Sequence, residues 1–218
     1  QRLTALHTID TAISASFNLH LTLNVLLAQI TTQLRVDAAD ILLLNPHTQK
    51  LEYADGRGFR SKTIERSHLQ MGEGYAGRAA LERQIIHLPD LRQRQTNLLR
   101  TPMFGAEGFI STYCVPLIAK GQVKGVLEIF HRTLYESDME WLNFLESLAA
   151  QVAIAIDNAE LFEGLQRSNV ELAVAYDTTI KGWSRALDLR DKETEGHTLR
   201  VTEMTIRLAK AMGISAEE

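Results

Sequence analysis

The stretch "ISTYCVPLIAKGQVKGVLEIFHR", residues 110–132, decides the fold. Two runs rich in β-branched and aromatic residues flank a short polar turn around Lys120 and Gly121, the pattern of an antiparallel hairpin. Upstream, "ADILLLN" (39–45) and "LEYADGRGF" (51–59) are short, apolar or alternating, and the Asn-Pro pair of "NPHTQK" marks a turn between them. They are expected to be neighbouring antiparallel strands. "GYAGRAALER" (74–83) reads as a short helix and "QIIHLPD" (84–90) as a strand stopped by Pro89. Strands not regularly interleaved with crossover helices predict an α+β domain with a mainly antiparallel sheet rather than a doubly wound parallel one.

Helices bracket these strands. Leu3, Leu6, Ile9, Ile13 and Phe17 recur at helical spacing, and Leu23, Leu26, Leu27, Ile30 and Leu34 do so again after a break at "NLH". Beyond the hairpin, no Pro and little Gly interrupt the chain, so one very long helix is expected from about Asp138 toward Arg190, with Ser137 as its cap. In its second half Phe162, Leu165, Asn169, Leu172, Tyr176, Thr179, Trp183 and Ala186 alternate in steps of three and four. That is a coiled-coil seam, which a second copy of the chain would bury, Asn169 fixing the register. The bland alternative is packing on the chain's own domain or on a missing one.

With 218 residues, 45% hydrophobic and 23% charged, the composition is that of a globular protein with a sizeable core. A net charge of -4 gives no broad electrostatic reason to bind nucleic acid or anionic membrane. No run approaches the ~18 apolar residues of a membrane span. The single Cys114 forbids an intrachain disulfide and fits a reducing, cytoplasmic setting. The opening "QRLTALHTID" has neither an initiator Met nor a signal-peptide layout and reads as part of a longer protein.

Several motifs have a chemical and a bland reading. "GEGYAG" (72–77) matches the G-x-G-x-x-G of a dinucleotide turn, but two helices and two hairpin strands precede it; a glycine-dependent turn starting a helix is the better account. The connection "DLRQRQTNLLRTPMFGAEG" (90–108) has the length of a lid. Arg92, Arg94 and Arg100 on it could draw an anion, although a solvated basic loop is commoner. A pocket is expected beneath it, lined by Tyr75, Arg78, His87, Phe104, Phe109 and Tyr113. Glu128 is read as the one acid inside an apolar strand; it could be a further ligand contact, and a partner in a neighbouring loop would equally satisfy it. His87 could ligate haem and Cys114 could serve a redox sensor, but neither has a partner at ligand spacing. Glu193 and His197, four apart, make an incomplete metal half-site.

Residues about 3 to 160 resemble a GAF domain, on "GEGYAGRAALERQIIHLPDL", "VPLIAKGQVKGVLEIFHR" and "LAAQVAIAIDNAELFEGLQ". The resemblance implies a six-stranded antiparallel sheet, opening and closing helices on one face, a small-ligand pocket on the other, and a sensory or dimerising role. The Asn-Lys-Phe-Asp-Glu set of the cyclic-nucleotide subset is not apparent, and no suitably placed Cys supports a bilin. The tail "RALDLRDKETEGHTLRVTEMTIRLAKAMGIS" resembles the start of an HD-GYP phosphodiesterase domain, in which Glu193 and His197 would belong to the metal site that hydrolyses cyclic di-GMP.

The expected organisation is therefore a GAF-like sensor at 1–160, a coiled-coil signalling helix at 161–190 and the truncated first helix of an HD-GYP-like domain at 191–218. No His-Asp pair and no Gly-Tyr-Pro element follow, so this chain is expected to be a non-catalytic, homodimeric regulatory module without a cofactor of its own. A divalent metal, iron or manganese, is expected only in the complete HD-GYP domain. The rival readings are a metal-dependent cyclic di-GMP phosphodiesterase and a haem or redox sensor.

Overall fold

The computed structural model describes residues 19–92, 104, 106–191 and 197–212, and the helix expected over Leu3–Phe17 lies outside them. The elements are α1 (Leu19–Gln33), β1 (Ala38–Asn45), β2 (Lys50–Arg57), a 3-10 turn (Thr63–Arg66), β3 (His68–Gln70), α2 (Gly74–Glu82) and β4 (Ile86–Leu88). β5 (Ser111–Ala119), β6 (Gln122–His131), α3 (Met139–Asp191) and α4 (His197–Ala211) follow. The six strands form one sheet in the order β3-β2-β1-β6-β5-β4, every described pairing being antiparallel. The chain divides into two units, Gln1–Phe162 and Glu163–Glu218.

The hairpin that anchors the sheet is set by its turn. Ala119 pairs with Gln122, and the two residues between them, Lys120 and Gly121, both take positive φ (48° and 75°), the conformation whose twist matches that of the flanking strands. Side chains then alternate between two covered faces. Tyr113, Val115, Leu117, Leu127 and Ile129 join Ala39 and Ile41 on the face packed by α1 and α3, while Cys114, Val126 and Leu42 face α2. Coverage of both faces is why these strands read as nearly continuous apolar runs.

α1 buries Leu23, Leu26, Leu27 and Ile30, and α3 buries Leu145, Leu148, Val152, Ala153 and Ile156, each set recurring at three and four. Every large apolar side chain so buried contributes roughly 1.5–3 kcal/mol before the entropy of ordering is charged against it. Asp138, not Ser137, caps α3: its Oδ1 accepts the Trp141 backbone N–H at 2.7 Å, whereas Ser137 is engaged with Tyr113. Its charged acceptor is well suited to the orphan amides of a first turn. At the other end of the unit, Lys124 reaches Asp157 and Glu160 at 2.8 Å each and Lys120 reaches Asp157 at 2.9 Å, tying the hairpin to α3. Burial opposes the Lys124 charge, but its bonds to Asp157 and Glu160 outweigh that and raise its pKa.

"GEGYAG" is a turn between edge strand β3 and α2, not part of a parallel β-α-β unit. The Gly72 N–H donates to the Gly77 carbonyl at 2.8 Å, and a Cβ on Gly77 would lie 2.4 Å from the Gln70 carbonyl oxygen, so this close approach admits only glycine.

In the second unit, α3 continues with Leu165, Leu172, Tyr176 and Trp183 between 55% and 68% exposed. Asn169, Thr179 and Ala186 are exposed as well, and Phe162, at the end of the first unit, is half-buried. α4 likewise exposes Val201, Met204, Ile206 and Leu208. Among the described residues, no helix is long and apolar enough to cross a membrane.

Candidate functional site

Strand register builds the site. Gly56 on β2, Asp40 on β1, Glu128 on β6, Cys114 on β5 and Ile86 on β4 stand opposite one another in succession, one row across five strands. The row lies on the face turned away from α1 and α3, and its two carboxylates are buried, Asp40 to 0% and Glu128 to 2% exposure. The Cys114 thiol donates to Glu128 Oε1 at 3.7 Å, and the Thr112 hydroxyl donates to the Ile129 carbonyl at 2.8 Å. Glu128 is therefore not the one acid inside an apolar strand. Asp40 is the second residue of "ADILLLN", and β1 starts at Ala38, which places this acid within the strand.

Apolar clusters lie on both sides of this polar band. One, under α2, contains Leu42, Leu51, Leu69, Ala76, Ala79 and Val126. The other is aromatic: Phe109 stacks on Phe130 with centroids 4.6 Å apart, Phe104 lies 5.2 Å from Phe130, and Phe59 stands edge-on to both Phe109 and Phe130 at 5.7 Å. Tyr53 packs against both clusters, and burial, with the nearby Asp40 carboxylate next in weight, pushes its phenol well above the ordinary range. Chemically the band supplies carboxylate acceptors, a phenol and a thiol between apolar walls, a setting suited to a small ligand carrying hydrogen-bond donors.

A latch closes the aromatic end. Buried Glu107 accepts the backbone N–H groups of Arg60 (2.7 Å) and Ser61 (2.8 Å). Arg132 donates to the Glu107 and Gly58 carbonyls at 3.1 and 3.0 Å and lays its guanidinium 4.9 Å from the Phe109 ring centroid. Burial opposes the Glu107 charge, but the two amides and Arg132 prevail and lower its pKa.

The residues expected to line one pocket are divided between faces. Phe104 and Phe109 meet in the aromatic cluster, Tyr75 packs against the cluster under α2, and Glu128 lies between. Arg78 is exposed and paired with Glu82 at 3.0 Å. His87 and Tyr113 belong to the opposite face, where their rings stack at 3.9 Å. The reason is parity: both sit one residue from Ile86 and Cys114, and one step along a strand changes the face. Arg92 pairs with Asp90 at 2.9 Å. Arg94, Arg100 and Glu193 lie outside the described residues, as does the side chain of His197, which begins α4. Among the described residues no three His, Cys, Asp or Glu side chains gather as a metal site. A surface groove of about 400 Å³ on the helix side, lined by Ile85, Val115, Ile118, Glu146 and Ala150, is separate from the polar row.

Reading the sequence missed Asp40, Tyr53, Phe59, Glu107 and Phe130. Counting alternate residues from Ala38 would have put Asp40 beside Leu42 on one face, but nothing within either strand states that Glu128 stands opposite.

A family model described as GAF domain matches residues 18–157, more than half of the chain. The chain belongs to the GAF domain family. No curated protein matches it. Among solved structures, the GAF domain of a phosphoenolpyruvate-protein phosphotransferase from Coxiella burnetii is 23% identical, with TM-score 0.66 and coverage of 75% of this chain and 96% of that one. The corresponding Acinetobacter GAF domain is 22% identical, with TM-score 0.62 over 75% and 97%. A free methionine-R-sulfoxide reductase from Neisseria meningitidis, solved with its substrate, is 16% identical, with TM-score 0.61 over 73% and 90%. At these identities the likeness is one of fold. The GAF sheet and flanking helices account for the first unit, and GAF domains are regulatory sensor folds of signalling proteins.

Proposed function

We propose that this GAF chain is a non-catalytic sensor and dimerisation module that passes a signal along α3 to an HD-GYP cyclic di-GMP phosphodiesterase domain in the cytoplasm. The observation that carries the reading is the continuity of α3. Its first turns are part of the sheet's core, through Leu145, Leu148, Val152 and Ile156, and the same 53-residue helix runs on through the exposed seam of Leu165, Leu172, Tyr176 and Trp183. A change in how the sheet holds the helix is then a change in the register or angle presented at the seam, provided two arrangements have similar free energies. Asn169 at the seam fixes the register at a cost in stability, which keeps the cost of leaving one arrangement of the paired helices small. The resemblance of the tail to the start of an HD-GYP domain supports the downstream partner, and the polar row across the sheet supports a small ligand as the input.

The reading is tested by incubating the chain with cyclic di-GMP and manganese or iron. No hydrolysis is expected. Turnover that His197→Ala abolishes would make the chain itself the phosphodiesterase and overturn the assignment.

A further inference from the structure

Five rings form a chain where the sheet meets the head of α3. His87 stacks on Tyr113 at 3.9 Å, Tyr113 lies 4.9 Å from Trp141, Trp141 lies 5.3 Å from Tyr135, and Tyr135 stacks on His131 at 4.2 Å with the planes 12° apart. His131 is the last residue of β6, and Tyr135 sits on the segment that joins β6 to α3. Trp141 is in the first turn of α3, and its indole N–H donates to the Leu34 carbonyl at 3.4 Å. The clasp thus joins β4, β5, β6, the end of α1 and the start of α3. His131 is 3% exposed, and its Nε2 has no hydrogen-bond partner among the described residues.

We propose that His131 is an acid-sensitive catch: when its imidazole takes up a proton, segment 132–138 and the first turn of α3 loosen from the sheet. An imidazolium carries two N–H donors, and the one on Nε2 has no acceptor among the described residues. Burial is the main cause that pushes both His131 and His87 below the ordinary 6.5. A charge on His87 disfavours one on His131. Asp37 favours a proton on His131, but it also accepts the Arg132 backbone N–H at 2.7 Å and lies 3.7 Å from the Arg132 guanidinium. Glu136 and the Tyr135 backbone carbonyl favour a charged His87, and Asp138 and Tyr113 act on the Tyr135 phenol. Because the folded pKa values are depressed, the clasp is intact above about 6.5 and weakens as pH falls below it toward those values. This device is independent of whatever domain α3 serves.

The test follows ring resonances of the whole chain by NMR from about pH 8 to about pH 5, with Trp183→Phe used only to assign the two indoles. His131 is expected to titrate below its ordinary range, with the Trp141 indole N–H and the Tyr135 ring moving at the same midpoint. His131→Phe keeps a flat ring on Tyr135 but cannot titrate, so the Trp141 movement should vanish. A Trp141 signal that stays fixed while His131 protonates, or one that still moves in His131→Phe, overturns the proposal. Should His131→Phe fail to fold, the unmodified chain decides: coincident midpoints uphold the catch and separate ones refute it.

Discussion

The Tyr113 hydroxyl, on β5, donates a 2.9 Å hydrogen bond to Ser137 Oγ and receives the Ser137 backbone N–H at 3.2 Å. A strand side chain thereby fixes the residue that leads into α3, leaving the capping of the helix to Asp138. Asp138→Ala is expected to cost about 0.5–2 kcal/mol through the lost cap, and Ser137→Ala about 1 kcal/mol through a single hydrogen bond. Urea denaturation of the two variants checks the division of labour; Asp138→Asn, which can still accept from Trp141, should recover most of the loss. If Asp138→Ala were silent and Ser137→Ala alone destabilising, the cap assignment would be wrong.

Glu107 satisfies two backbone amides at once, so Glu107→Ala strands both and is expected to cost about 2–4 kcal/mol. Its folded pKa lies below the ordinary 4.5, and its stabilisation is therefore complete above that value and fades as pH falls through the lower, folded one. The gap in urea midpoint between the unmodified chain and Glu107→Gln should be constant near neutrality and narrow only in acid. A gap that widens on acidification would contradict the sign.

Leu165 and Leu172 are 64% and 55% exposed on one side of the seam, and pairing of two chains would bury both. Leu165→Asp combined with Leu172→Asp places two charges at that contact and is expected to convert a dimer into a monomer in analytical ultracentrifugation, with the circular dichroism of the sheet unit unchanged. An identical sedimenting mass for both proteins would show that the seam holds no second chain.

Cys114 is completely buried beside Glu128. A thiol so placed behaves as a small apolar residue, and Ellman's reagent should label it only at the rate of unfolding, accelerating in step with added urea. Rapid labelling in native buffer would instead restore the redox-sensor reading.

Much of the fold was legible because it is written in local patterns. The "AKGQ" turn demands two positive φ values, "LAAQVAIA" repeats at helical spacing, and the pair of runs in residues 110–132 matches strands of nine and ten residues. The helix through Phe162 to Ala186 was legible for the same reason. β3 is three residues long and carries no periodic signal of its own, so it was visible only through the family resemblance.

The polar row was not legible, because adjacency across strands is a property of register. Asp40 and Glu128 are 88 positions apart, and only the pairing of β1 with β6 sets them opposite one another. His87 and Tyr113 show the converse: composition suggested a pocket, but one step of strand parity put them on the helix face instead. The sequence by itself determined which segments become helices and strands, since backbone preference and hydrophobic period are short-range. Which side chains meet, and on which face of the sheet, was decided by tertiary packing, because each strand could shift by one residue without altering its own pattern, and only burial against α1, α2 and α3 selects a single alignment.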